Sequence, residues 1–333
     1  MKKIRSTASA PLVSLIIPAH NHTHLLPRVL DSILEQSFKR LEAIIVDDCS
    51  DIPCDQVVQA YADKGLDLRL IRCPSRVMTR AARLVGVKAA RADIIAFVDA
   101  DDMLWGTDAL AYHVDILQKT GADVVHFSTV LVDADMSRTY APQHYVPLAP
   151  ELEGAEIFRR YVLARMPSIP VWAKLYAKSL WLTILPIAEQ SAVNRFEDSY
   201  LTALLYFHTR RYVGSDRCGY LHHFDRRLER SAGRAVGAYR TLKELVPYFR
   251  AQGCPEDVLN LLVREFKERI CLYAGRFCQQ LTLVDGFGIT DEELDAKRHG
   301  ADPELLLKAL LLGNRMNARK LTHCLRTIYS APE

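Results

Sequence analysis

The chain has no CxxC pair and no dense run of cysteines: its eight, Cys49, Cys54, Cys73, Cys218, Cys254, Cys271, Cys278 and Cys324, are scattered over 333 residues. That spacing argues against a disulfide framework and a structural zinc site and fits reduced thiols in a cytosolic protein. No apolar run approaches the roughly 20 residues of a membrane-spanning helix. The longest aliphatic cluster, 305–312, is interrupted by Lys308. The first seven residues carry positive charge but run into Ala, Pro and a short strand-like stretch, not the apolar core and cleavage site of a signal peptide, so the chain is expected to stay in the cytoplasm. Neither charge sign dominates, with 43 Lys and Arg against 40 Asp and Glu. A nucleic-acid surface calls for a basic excess, so no nucleic-acid partner is expected. Internal repeats and low-complexity tracts are absent, and 49% hydrophobic residues with 25% charged is the composition of a folded protein with a sizeable core.

What is present is a rhythm. From residue 12 to about 130, short β-branched runs alternate with amphipathic stretches. Strands are expected at 13–17, 43–46, 68–71, 94–98 and 124–127, and helices over 25–36, 56–62 and 76–90, with a further helix starting near Asp108 behind a Thr107 cap. The alternation is that of βαβ units, and strands apolar on both faces are those of a sheet covered on both sides. The expected fold class is therefore α/β, with a doubly wound, mostly parallel sheet. Right-handed crossovers bring the loops after the strands to one edge, so 18–21, 47–50 and 99–102 should converge.

Beyond residue 133 the rhythm breaks into a Pro-containing connection at 141–150, a helix at 155–163 and a mixed region ending in Phe196-Glu197-Asp198-Ser199. From about 236 the pattern is helical, with breaks at Gly253-Cys254-Pro255 and at 298–303. The organisation is an extension over 1–10, an α/β domain over 11–230 and a C-terminal helical extension over 231–333.

Asp99-Ala100-Asp101-Asp102 follows the apolar run 94–98 directly. Carboxylates at the end of a strand sit where open α/β sheets bind ligands, and their hard oxygens suit Mg²⁺ or Mn²⁺ holding a diphosphate. Alone, such a segment also reads as a turn that caps the next helix. Asp47-Asp48-Cys49-Ser50 ends its strand in the same way and suits a base or a ribose, or an ordinary Asx turn. Two acidic strand ends in one sheet favour the ligand. Glu197 and Asp198 read first as an acidic pair in the opening turn of a helix running to about residue 208.

Three segments appear in order and spacing: Ser14-Leu15-Ile16-Ile17-Pro18-Ala19-His20-Asn21, Ile45-Val46-Asp47-Asp48-Cys49-Ser50 and Phe97-Val98-Asp99-Ala100-Asp101-Asp102. Together with the helical stretch 81–90, they resemble the opening motifs of family 2 glycosyltransferases. Val171-Trp172-Ala173-Lys174-Leu175-Tyr176 and Phe196-Glu197-Asp198 are similar to later elements of bacterial members that build surface polysaccharides. The resemblance implies a nucleotide-sugar transferase fold over 11–230 and an inverting enzyme, in which an acceptor hydroxyl attacks the anomeric carbon of a nucleotide-sugar donor, with uridine as the expected nucleoside. Carried over by position, Pro18 lines the base pocket, Asp48 contacts the base and Asp99 the ribose. Asp101, with Asp99, holds Mn²⁺ or Mg²⁺; Asn21 and Asp47 complete the donor set, Arg80 or Arg83 offsets the departing charge, and Asp198, or else Glu197, is the general base.

Two positions depart from the resemblance: Cys49 stands in place of a usual Gly, and Leu84 in place of a usual Asn. The Gln-x-x-Arg-Trp element of processive synthases is missing, which favours addition of a single sugar to a surface glycan or a lipid-linked saccharide. Two other readings remain open: a noncatalytic nucleotide- or glycan-binding module that keeps the fold, and a sugar nucleotidyltransferase, whose Gly-rich amino-terminal loop is absent here. Trp172 and Lys174 read as core packing and a solvated amine ahead of an acceptor role. Arg226, Arg227, Arg230 and Arg234 read as a solvated helix face or a diphosphate clamp, and His222 and His223 as surface or structural residues ahead of cleft residues. The tail 305–329 mixes leucines with Lys308, Arg315, Arg319, Lys320 and Arg326. It suits packing on the catalytic domain or a second subunit, as in an oligomer, or peripheral contact with the inner face of the cytoplasmic membrane.

Overall fold

The computed structural model describes residues 10–133, 139–140, 145–164, 170–224 and 231–285. In chain order the elements are β1 (Val13–Ala19), α1 (Leu26–Leu34), β2 (Leu41–Asp47), α2 (Asp55–Asp63), β3 (Leu68–Arg72), α3 (Met78–Ala89), β4 (Ile94–Phe97), β5 (Met103–Leu104) and α4 (Ala109–Thr120). Then come β6 (Val124–Asp133), β7 (Thr139–Tyr140), β8 (Glu151–Glu153), α5 (Ala155–Leu163), β9 (Lys174–Ala177), α6 (Lys178–Gln190), α7 (Glu197–His208), β10 (Arg211–Phe224), α8 (Ser231–Ala251) and α9 (Glu256–Asp285). The strands and helices expected between residues 13 and 130 are all present. α4 differs in its cap: its N-cap is Asp108, without a side-chain cap, so Thr107 does not serve there. The expected helix break at Gly253-Cys254-Pro255 separates α8 from α9.

The strands form one sheet in the order β3-β2-β1-β4-β9-β6-β10-β5, with β7 added on β6 and β8 on β10. β3, β2, β1 and β4 run parallel. β9 enters antiparallel between β4 and β6, and β10 returns parallel to β6. The α/β class holds, and the sheet is mixed, because the chain segment after residue 170 supplies a strand of the opposite direction to its centre. β1 and β2 are buried along their whole length, as strands covered on both faces must be. α1 turns Leu26, Val29, Leu30 and Ile33 inward at helical spacing.

The chain divides into two compact units, one of Met1–Ser191 with Leu201–Asp225 and the other of Ala192–Tyr200 with Arg226–Glu333. Residues 192–200, which include Glu197 and Asp198, thus group with the helical C-terminal part. Within that second unit, Phe196 meets Phe266 edge to face with ring centroids 5.9 Å apart, and the amide of Ala192 donates to Glu244 Oε1 at 3.1 Å. The break expected at 298–303 and the basic tail 305–329 lie outside the described residues, as do Arg226, Arg227 and Arg230.

α3 approaches β1 through Gly86, where a Cβ would collide with Ile16 Cγ2. Gly86→Ala is therefore expected to overpack this contact and to cost about 1–3 kcal/mol of stability in urea unfolding. An unchanged midpoint would mean that α3 can shift away from β1 without loss.

Inside the first unit, His113 on α4 stacks on Phe127 with ring centroids 4.3 Å apart, and its Nδ1 lies 2.7 Å from the Ala109 carbonyl oxygen. Burial pushes its pKa down to about 4. Its folded value lies below its unfolded one, so between the two the unfolded chain binds the extra proton, and stability is lost as the pH falls from about 6.5 towards 4. His113→Gln should flatten this part of the pH dependence, by up to about 3 kcal/mol relative to the parent protein, in denaturation followed across that window. Parallel curves for the two proteins would show that the imidazole is charged in the fold.

Candidate functional site

Pairing of β1 with β2 and β4 aligns the carboxyl ends of three strands. Ala19 stands opposite Asp47, Asp47 opposite Arg72, and Ile16 opposite Phe97. The loops that follow are tied across this edge: the amide of Asp48 donates to the Ala19 carbonyl at 2.7 Å, that of Asn21 to Ser50 Oγ at 2.9 Å and that of Val98 to the Ile16 carbonyl at 3.1 Å. Asn21 and Asp51 exchange hydrogen bonds of 2.8 and 3.0 Å. Pro18 sits within β1 opposite Val46. The convergence expected from the crossover rule is observed.

Each acidic loop is shaped by its own carboxylates. Asp47 accepts from the Ser50 amide at 2.9 Å and from Arg72 Nη1 at 3.1 Å. Asp48 accepts from the amides of Val77 and Met78 at 2.5 and 2.9 Å, so both of its oxygens cap the start of α3. The turn reading of this segment is thus realised in the fold, and a ligand would share carboxylates already engaged with the backbone. Cys49 turns the loop at a φ of 59°, the left-handed conformation a Gly would reach without steric cost. Asn21 and Met78 also have positive φ, at 58° and 71°.

Asp99 pairs with the buried Arg83, Nη2 to Oδ1 2.9 Å. Arg80 donates to the carbonyls of Ala188 and Ser191 where α6 ends. Sequence reasoning could assign both arginines to the diphosphate because residue type reports reach and charge, not direction.

Asp102 is the anchor of the third loop. β5 starts at the next residue and pairs antiparallel with β10, Met103 opposite Leu221 and Leu104 opposite Tyr220. That pairing carries the Tyr220 hydroxyl to 2.7 Å from Asp102 Oδ2, His222 Nδ1 to 3.0 Å from Oδ1 and the His223 amide to 2.9 Å from Oδ1. The amide of Asp102 donates to the Asp99 carbonyl at 3.0 Å and closes the turn. Burial opposes the charge on Asp102, yet bonds from His222 and His223 hold its carboxyl below the usual range. Burial likewise opposes the charge on His222, and the bond to Asp102 raises its pKa. Asp101 has no such support. Burial, then the charges of Asp102 and Asp99, push it up to about 7.

Trp172 stacks on Tyr220 and on His222, with centroids 4.7 Å apart in both cases. The segment before it is fixed by Tyr176, whose hydroxyl donates to the Val171 carbonyl at 3.0 Å. Lys174 is buried, and its Nζ donates to the carbonyls of Pro170 and Trp172 at 2.7 and 3.2 Å. The expectation of a solvated amine is corrected: the ammonium group braces the Trp172 segment. Of the readings of His222 and His223, the structural one is realised: they lie in the long strand β10, and both meet Asp102. The basic stretch beginning at Arg210 is likewise a strand up to Phe224, and Arg234 is exposed on α8. Glu197 and Asp198 open α7.

Among the described residues, no group of three His, Cys, Asp or Glu side chains has the arrangement of a closed metal site. The donor set at the Asp99 turn still fits a hard cation. Asp101 is a carboxylate with raised proton affinity beside two other acids, and an oxygen-loving divalent ion would relieve that repulsion better than a proton. Among the described residues no helix is long and apolar enough to cross a membrane.

Comparison with known proteins places the fold and the motifs together. Residues 14–179 match Glycosyl transferase family 2. An uncharacterised glycosyltransferase of Haemophilus influenzae is 28% identical over 125 residues, covering 38% of this chain and 50% of that protein. The amylovoran biosynthesis glycosyltransferase AmsB of Erwinia amylovora is 32% identical over 108 residues, 32% of this chain and 36% of its own. The putative teichuronic acid biosynthesis glycosyltransferase TuaG of Bacillus subtilis is 29% identical over 109 residues, 33% and 43% respectively. The chain spans half or less of the length of these relatives. In three dimensions, residues 1–349 of S. aureus TarS superpose with a TM-score of 0.57 at 18% identity, covering 95% of this chain and 91% of that one. A mannosyltransferase of Pyrobaculum calidifontis, solved with GDP-Man and Mn²⁺, superposes with a TM-score of 0.51 at 17% identity over 96% and 85% of the two chains. The motifs at the strand ends, the fold that aligns them and the match over 14–179 agree: this stretch of the chain belongs to glycosyl transferase family 2.

Proposed function

We propose that the protein is an inverting glycosyltransferase that moves one sugar from a nucleotide-sugar donor, uridine-linked, to a bacterial surface glycan or its lipid-linked precursor. The observation that carries this reading is the convergence of the Asp47-Asp48 and Asp99-Ala100-Asp101 loops on one sheet edge, each locked from behind. S. aureus TarS, which shares the fold, has been solved with UDP and with UDP-GlcNAc, and AmsB and TuaG carry the names of polysaccharide pathways.

In this reading Pro18, Asn21, Asp47 and Asp48 form the nucleoside end of the donor pocket, and Asp99 the ribose contact. Asp101, with Asp99, holds Mn²⁺ or Mg²⁺, and Arg83 fixes the orientation of Asp99 through its ion pair. The divalent ion supplies neutralisation of the charge that develops on the leaving diphosphate. An acceptor hydroxyl is a poor nucleophile, so its proton passes to a carboxylate as the bond to the anomeric carbon forms. On the Glu-Asp motif that base is Asp198, with Glu197 next in line. A lipid-linked acceptor brings the protein to the inner face of the cytoplasmic membrane, where Arg315, Arg319 and Lys320 of the tail suit anionic headgroups.

Calorimetric titration with UDP, GDP and their sugar conjugates, each with Mn²⁺ and with chelator, tests the donor half without knowledge of the acceptor. Binding of UDP that strengthens with Mn²⁺ and weakens on chelation is the expected result. Folded protein that binds none of these nucleotides would overturn the reading in favour of a module without turnover.

A further inference from the structure

The resemblance leaves the diphosphate's countercharge to Arg80 or Arg83, and both already hold other partners. Arg80 serves the end of α6, and Arg83, buried, faces Asp99. Arg28, in the first turn of α1, is placed differently. It is half-buried, and its Nη2 lies 3.5 Å from the Asp101 carbonyl oxygen.

The same Nη2 meets the ring of His223, 3.1 Å from Nδ1 and closer still to Nε2. A guanidinium only donates, so the imidazole nitrogen that faces it is the acceptor. The Nδ1 of His223 lies 3.9 Å from Asp102 Oδ1, and Asp102 is itself fixed by the Tyr220 hydroxyl and by the His223 amide. α1, β10 and the Asp99 turn therefore meet at Arg28. Its partners are an imidazole and a backbone carbonyl. Among the described residues no carboxylate pairs with Arg28, whereas Arg72, Arg83 and Arg91 of the same unit each have one. A full positive charge is thus held, without an anionic partner, against the backbone of the turn that carries Asp101.

We propose that Arg28 is the cation that meets a diphosphate at this turn, contacting its oxygens on the side away from the carboxylates. The inference rests on the nucleotide-sugar reading above and adds to it a residue outside the motifs. Guanidinium geometry suits two oxygens of a phosphate at once, and the contacts with His223 and the Asp101 carbonyl hold the side chain in position before the ligand arrives. The diphosphate belongs to the nucleotide donor or to a lipid-linked acceptor, whose chemistry is the same at this point.

The test uses the full chain with Mn²⁺ and three probes: UDP, uridine and geranyl diphosphate. Arg28→Gln is expected to weaken diphosphate binding about 10- to 100-fold, the loss of one charge-assisted contact, while uridine affinity and melting temperature stay as in the parent. Arg28→Lys, which keeps the charge without the fork, should recover part of the loss. Weakening of UDP alone assigns the group to the donor; weakening of geranyl diphosphate alone assigns it to the acceptor. Unchanged affinity for both diphosphates overturns the role of Arg28, and so does a loss shared equally by uridine, which would mark general damage to the pocket. A parent protein that is folded and binds none of the three overturns the donor reading itself, a result distinct from failure at Arg28.

Discussion

Asp101→Ala is expected to abolish Mn²⁺-dependent binding of UDP, leaving only the metal-independent contribution of the nucleoside pocket. The carboxylate is surrounded by burial and by Asp102 and Asp99, and it is pushed up to about 7. A divalent ion would offset the repulsion from Asp99 and Asp102 that this carboxylate meets in the fold. Metal-assisted charge stabilisation is worth several kcal/mol, and its loss should read as an affinity change of about 100-fold or more in the presence of Mn²⁺. The isosteric Asp101→Asn separates ligand from scaffold. It removes a repelled charge and should leave the melting temperature of the free protein unchanged or higher, while the response to Mn²⁺ disappears. Retention of full Mn²⁺-dependent affinity in either variant would remove Asp101 from the metal.

Asp198→Asn should show the complementary pattern: donor affinity as in the parent, and turnover lower by about 10²- to 10⁴-fold, the usual contribution of a positioned base. Asn still suits the opening of a helix, and the attraction of a carboxylate to the amino end of α7 is worth about 0.3–1 kcal/mol, so the fold should survive. The comparison that matters is kcat against donor affinity, with Glu197→Gln beside it. If Asp198→Asn leaves turnover intact and Glu197→Gln removes it, the base is Glu197. If neither changes it, the acceptor's proton leaves by another carboxylate.

The first third of the chain was legible because its strands are buried on both faces and therefore written as uninterrupted apolar runs, with an acidic cluster marking each functional end. β9 and β10 were not. β9 has four residues and opens on Lys174, a type that signals solvent, and only the tertiary structure supplies the carbonyls of Pro170 and Trp172 that satisfy a buried ammonium. β10 is long, carries basic and polar residues, and bulges between Ser215 and Tyr220, which breaks the alternation by which a strand is recognised. Asp102 illustrates the same limit at the site. In sequence it is one more acid after Asp101. Its partners Tyr220, His222 and His223 are more than a hundred residues away, and no local pattern announces them. The glycine usual at position 49 pointed to a turn with positive φ, and Cys49 adopts it regardless.

β9 also governs how the protein can be made. It is the only described strand that joins β4 to β6, and it emerges from the ribosome after both. Until residue 177 has been synthesised, two strongly apolar strands wait with bare edges, each able to pair with another chain. The nascent polypeptide is thus most exposed to aggregation when every acidic strand-end loop is already present, and the family match, which ends at residue 179, stops just past the strand that closes this gap. A truncation made to isolate the strand-end loops would have to retain Lys174–Ala177, or it would leave the facing edges of β4 and β6 bare.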